Sequence, residues 1–259
     1  MNISPQDLED LRYARTLLEN PGLAAKITGL IGTPIEKGFK LLPARWSDAV
    51  NSGTRTALEK ALKFAVLTMD DKTGLASSDK FHKMIVAATG GAGGAFGLPA
   101  LSVELPISTT VMLRSIADIA RSEGEQIKDL DVKLACLEVF ALGGRSNHDD
   151  AAETGYFAVR SALSSAVSEA AQHIAEKGLT RKGAPAIVRF VSQIASRFGI
   201  TVSEKAAAQA LPVIGAAGGA LINTLFLDHF QEMARGHFIV RRLERTYGLE
   251  AVKAAYEEQ

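Results

Sequence analysis

One cysteine, one tryptophan and no surplus of either charge mark this chain by what it lacks. A lone thiol, Cys136, cannot close an internal bridge, so a disulfide-held scaffold is excluded. With 29 basic side chains against 29 acidic ones, nothing global attracts nucleic acid, and a local basic patch would be needed instead. The 47% hydrophobic content excludes intrinsic disorder, and the glycines follow no three-residue period, which excludes collagen. Alternating β-branched runs punctuated by Asn-Gly or Asp-Gly are missing, so strands are not expected. The first twenty residues carry four carboxylates and no apolar run of the roughly 7–15 residues a secretory signal needs, so export by that route is not expected. Neither G-x-x-x-x-G-K-[ST] nor G-x-S-x-G occurs, which removes the P-loop and the nucleophile elbow.

What is present is helical periodicity. Leu58, Leu62, Ala65, Val66 and Met69 recur at three-to-four spacing, as do Leu163, Val167, Ala170, Ala171 and Ile174. Ser4-Pro5 opens a first helix, with serine as cap and proline in the first turn, and Asn20-Pro21-Gly22 closes it. Short helices are expected up to Pro43, then longer ones near 54–69, 107–122, 132–142, 150–177, 185–197, 202–211, 223–247 and 249–257, with GGRSNHDD at 143–150 as a loop. The fold class is therefore all-α, a single multi-helix domain with two buried Gly/Ala-rich segments. GGAGGAFG before a helix ending RSEG echoes GAAGGA before a helix ending ERTYG, which leaves an ancestral duplication open.

Those glycine runs invite three readings. Gly90, Gly91, Gly93, Gly94 and Gly97 faintly suggest a dinucleotide loop, but no strand precedes them and Pro99 and Pro106 follow, so nucleotide binding is rejected. Gly90/Gly94 and Gly215/Gly219, at four-residue spacing, strip bulk from a helix face and let backbones approach. The uncharged stretches 84–103 and 206–227 are long enough for a membrane span, yet glycine supplies little transfer energy. Buried interior helices are the first reading; shallow insertion, with Pro99 and Pro212 breaking the segments, is the second; a full span ranks last.

Charge inside apolar sequence marks candidate site residues. Glu104 interrupts an uncharged run, and Arg114, ten residues on, is expected to pair with it or with Asp118 four residues further, the three forming a buried cluster that Asn223 or His229 could join. A second polar concentration holds Asn223, Asp228, His229, Glu232 and His237. His229 and Glu232 lie three apart and could share an ion, whereas His237 is about 12 Å further along the axis. A metal site would need groups such as Glu104 or Glu138 from other helices, so these are weak ligand candidates and no metal or cofactor is expected. Cys136 reads as a core thiol, and Arg241, Arg242 and Arg245, interleaved with Glu244, read as a surface salt-bridge network.

Four blocks carry a resemblance: GGAGGAFGLPALSVELPISTTVMLRSIADIARSEGE at 90–125, CLEVFALGG at 136–144, GYFAVR at 155–160, and LPVIGAAGGALINTLFLDHFQEMARGHFIVRRLERTYG at 211–248. Together they resemble the EcsC protein family over 80–256. The resemblance implies a bacterial protein working beside the membrane, similar to one encoded next to an ABC transporter, and it supplies no catalytic residues. An N-terminal helical region at 1–75 and an EcsC-like core at 76–259 follow as the expected organisation.

The functional expectation is a non-enzymatic accessory or regulatory protein, cytoplasmic and peripheral to the inner membrane face, touching lipid or an integral membrane partner such as an ABC transporter. Two alternatives stand beside it. One is a metal-dependent hydrolase using His229, Glu232 and Glu104; the other is a soluble ligand-binding helical domain.

Overall fold

The computed structural model describes residues 3–19, 22–69, 98–143, 155–179, 184–211 and 215–258. Among the described residues every regular element is a helix: α1 (Pro5–Glu19), α2 (Leu23–Ile31), α3 (Glu36–Phe39), α4 (Trp46–Thr68), α5 (Leu98–Ser122), α6 (Leu130–Leu142), α7 (Tyr156–Lys177), α8 (Pro185–Gln209), α9 (Gly215–Tyr247) and α10 (Leu249–Glu257). Ser4 caps α1 as the sequence predicts, its Oγ accepting from the Asp7 amide at 3.2 Å.

Two helices organise the rest. α6 is apolar almost all round, and every residue from Val132 to Ala141 is buried, the arrangement expected of a helix with neighbours on all sides. α9, at 33 residues, runs about 50 Å and packs against α1, α2, α5, α6, α8 and α10. Phe140 of α6, Phe198 of α8, and Phe226 and Phe230 of α9 meet in one aromatic cluster, with ring centroids 4.9–6.0 Å apart and tilted, edge-on or stacked geometries. α5 and α9 run parallel, since Glu104 meets Asn223, Ser115 meets Gln231 and Glu123 meets Arg242. The two helices that echo each other in sequence are thus side by side.

The N-terminal helices belong to the same body. Leu18 and the Ala14 carbonyl lie against Gly236, where an added Cβ would sit 2.7 and 2.9 Å from them, so α1 and α9 cross at the distance that only glycine permits. α4 packs along α5 and α8. The whole is one helical domain.

The structure departs from the sequence expectation at two breaks. α5 begins at Leu98 with Pro99 in its first turn, where proline is tolerated, and continues through Pro106 without interruption. An interior proline loses a backbone bond and crowds the preceding turn. The burial of Leu105, Met112, Leu113, Ile116 and Ala120 on the same helix outweighs that loss. Likewise 185–197 and 202–211 are one helix, α8, because Phe198, Thr201 and Val202 around Gly199 are all buried and offset glycine's poor helix propensity of about 1 kcal/mol. Of the glycine and proline candidates, Gly90, Gly94, Gly97 and Pro212 lie outside the described residues; Gly215 opens α9 and Gly219 is buried. Among the described residues, none of the helices is long and apolar enough to cross a membrane.

Candidate functional site

A carboxylate placed in an apolar helix needs a cation, and Glu104 of α5 finds Lys205 of α8. Lys205 Nζ donates to Glu104 Oε1 at 2.6 Å, with Lys205 fully buried and Glu104 5% exposed. Asn223 of α9 donates through Nδ2 to the same oxygen at 2.9 Å. The Lys205 ammonium also stands 4.8 Å above the Phe226 ring, a cation–π contact inside the core. Burial pulls the Lys205 pKa down while the Glu104 carboxylate opposes it, and each charge survives only because the other is there.

Of the expected cluster, Glu104 and Asn223 meet, and the cation beside them is Lys205 rather than Arg114. Arg114 is ten residues from Glu104 on the same helix, about 15 Å along the axis and on another face. It is exposed, with its guanidinium 5.1 Å above the Phe64 ring. Asp118 bonds Arg121 at 2.6 Å, one turn on. Lys205 escaped notice because SEKAAAQA looks like a solvated alanine-rich helix; the one clue was the isolated Glu104 itself.

His229 does not join this centre. Its Nε2–H donates to the Gly143 carbonyl at 3.2 Å, which fixes the tautomer and ties α9 to the end of α6. Desolvation, with the Lys26 charge adding to it, pushes the His229 pKa down to about 4. A Cβ on Gly143 would lie 2.3 Å from that nitrogen, so glycine is required there for contact rather than for backbone freedom. Glu232 is ion-paired with Lys26 of α2. The three groups proposed for a metal-dependent hydrolase, His229, Glu232 and Glu104, therefore each serve a different partner. Among the described residues no group of three His, Cys, Asp or Glu side chains could hold a metal ion.

A second polar centre forms lower on α9 around His237, one of the polar-cluster candidates of the sequence. His237 Nδ1 and the Tyr156 hydroxyl of α7 share a hydrogen bond of 2.9 Å, both groups buried, while His237 Nε2 has no partner among the described residues. Desolvation holds the His237 pKa well below its usual value, with Arg160 and Arg241 reinforcing it. Arg160 of α7 grips Glu244 of α9 through two bonds of 2.6 and 3.0 Å, and Arg241 bonds Glu125 at 2.8 Å. Glu138 of α6 faces these same arginines, each already committed to another carboxylate, and desolvation raises its pKa to about 7. Sequence reading named Glu138 only as a distant metal ligand; its place beside Tyr156 needed the packing of α6 on α7.

The arginine-rich end of α9 is a salt-bridge network, as expected, though its partners come from elsewhere in the chain. Arg242 reaches Asp10 of α1 at 2.6 Å and Glu123 at 2.9 Å, and Arg245 bonds Glu125 at 2.5 Å.

These features define an all-α single-domain protein built round a long central helix, with two separate buried polar centres. Residues 7–243 match the model of the EcsC protein family, and the chain belongs to that family. The match takes in α1 to α4 as well as the later blocks that carry the resemblance in sequence. Comparison with curated proteins and with solved structures gives no match.

Proposed function

We propose that this chain is a non-enzymatic, membrane-associated accessory protein. In this reading it presents the end of the bundle where α5 and α9 begin to bilayer lipid, or to an integral membrane partner such as a transporter. One observation carries the reading. α5 and α9 run parallel, so both helices begin at the same end of the domain. There Ile107 and Leu221, on either side of the Glu104–Asn223 level, each leave 46% of their surface exposed. A chain with no net charge has little electrostatic attraction to anionic lipid, so attachment would be apolar and insensitive to salt.

Liposome flotation with and without about 0.5 M salt, where screening lengths are only a few Å, tests the reading. The parent protein should float equally in both conditions. Ile107→Glu/Leu221→Glu should stay at the bottom while melting normally. A parent protein that remains at the bottom with every lipid mixture overturns the reading and leaves a soluble ligand-binding domain.

A further inference from the structure

Between α3 and α4 the chain passes from Lys40 to Ala49 without a buried residue, yet much of what it exposes there is apolar. Leu41 is 53% exposed, and Leu42, Pro43 and Ala44 follow it. Trp46, the chain's one tryptophan, comes next, half-buried against Phe39 with the ring centroids 5.6 Å apart. Lys37, Lys40 and Arg45 flank these groups, and all three are exposed.

The packing fixes where this turn stands. A Cβ on Gly38 would collide with the Ala207 carbonyl, so α3 is pressed onto α8 near its end, two residues beyond Lys205. Gly53 lies against Leu105, and Arg114 lies over Phe64, so α4 runs parallel to α5. Trp46 is seven residues before Gly53, which sets the start of α4 about 10 Å beyond the Leu105 level. The turn therefore stands at the end of the bundle where α5 and α9 also begin.

We propose that the α3–α4 turn inserts into the surface of a phospholipid bilayer, with Leu41 and its apolar neighbours among the acyl chains, Trp46 at the interface and Lys37, Lys40 and Arg45 at the lipid phosphates. The inference rests on the membrane-associated reading and names lipid itself, rather than a protein, as what the turn touches. Three kinds of group select lipid. Exposed leucine gains from acyl chains, an amphipathic indole favours the headgroup level, and Lys and Arg stems lie along the apolar layer while their charges reach phosphate. Arg45 holds a left-handed backbone, φ 66, that glycine adopts without strain, so a cation is kept there at a conformational cost. Glu36 and Asp48 are exposed beside them, and three cations against two carboxylates leave a single positive charge. Attachment of this turn is therefore mainly apolar and survives salt.

Trp46 reports its own surroundings, since the chain has no other indole. On phosphatidylcholine vesicles the full chain should shift its tryptophan emission to the blue. Bromine near the headgroup end of the acyl chains should quench that emission more than bromine near the methyl end, equally at low salt and at about 0.5 M. Leu41→Glu should bind the vesicles about tenfold more weakly, the effect of losing part of a leucine's transfer from water. Leu249→Glu changes an equally exposed leucine, 50%, past the far end of α9, and should bind like the parent. A parent that floats with Trp46 neither shifted nor quenched overturns the inference and leaves the membrane reading to other contacts. So does quenching that salt abolishes, or an equal loss in both leucine variants. A parent that does not float overturns the inference and the reading together.

Discussion

The two polar centres along α9 are buried to the same degree and solve the burial of charge in opposite ways. Near its beginning, Lys205 and Asn223 both donate to one oxygen of Glu104, so the carboxylate has a cation and an amide of its own. Farther along, the arginines beside Glu138 already serve Glu244 and Glu125, so Glu138 is left to shift its protonation instead. A buried carboxylate with its own cation stays charged and fixes helix register; one without drifts toward neutrality and makes stability depend on pH.

Breaking the first centre should have the largest effect. Lys205→Met leaves Glu104 buried and uncompensated, and denaturant melts should show a loss of roughly 3–5 kcal/mol. The double change Glu104→Gln/Lys205→Met should lose clearly less than the sum of the two single changes. Simple additivity would show that the two are not coupled.

The second centre should respond to pH. Glu138 binds a proton more tightly in the folded chain than in the unfolded one, since its pKa rises from 4.5 to about 7. Between those values the folded state holds more protons, so stability falls as pH rises through the window. Glu138→Gln removes that fall. Its stability relative to the parent should therefore grow by up to about 3 kcal/mol from pH 4.5 to 8, measured by urea melts along a pH series. His229 works in the other direction: its pKa drops from 6.5 to about 4, so its contribution is full above 6.5 and is lost as pH falls toward 4. A constant gap between Glu138→Gln and the parent across the series would mean that Glu138 binds its proton no more tightly in the folded chain than in the unfolded one.

The smallest effect sharpens the comparison by contrast. Arg114, which sequence reading paired with Glu104, lies exposed over Phe64. Arg114→Met should cost less than about 1 kcal/mol, the scale of an exposed cation–π contact. A loss near that of Lys205→Met would restore Arg114 as the cation of the first centre.

Much of this was legible before any coordinates. Ser4-Pro5 as a helix start, the end of α6 at Leu142 and the span Leu249–Glu257 follow from local capping and periodicity, which the chain carries residue by residue. The same local rules misplaced the breaks at Pro106 and Gly199. Proline and glycine weaken a helix by a few kcal/mol at most, and burial of the surrounding side chains recovers that amount. Within the candidate site, Glu104 and Asn223 stood out because charge and amide are costly in apolar sequence. Lys205 did not, because lysine on an alanine-rich helix is the commonest of surface patterns.

By itself, then, the sequence determined the helical class, the family, and that Glu104 and Asn223 would need polar partners, because hydrophobic periodicity and the cost of desolvating a charge are properties of short segments. The tertiary structure alone decided which groups met. Residues 104, 205 and 223 come together only when α5, α8 and α9 align, and Glu138 has no cation of its own among the described residues because Arg160 and Arg241 reach other carboxylates. Partner choice depends on axial register and on competition between acceptors, and neither is written in any one stretch of chain.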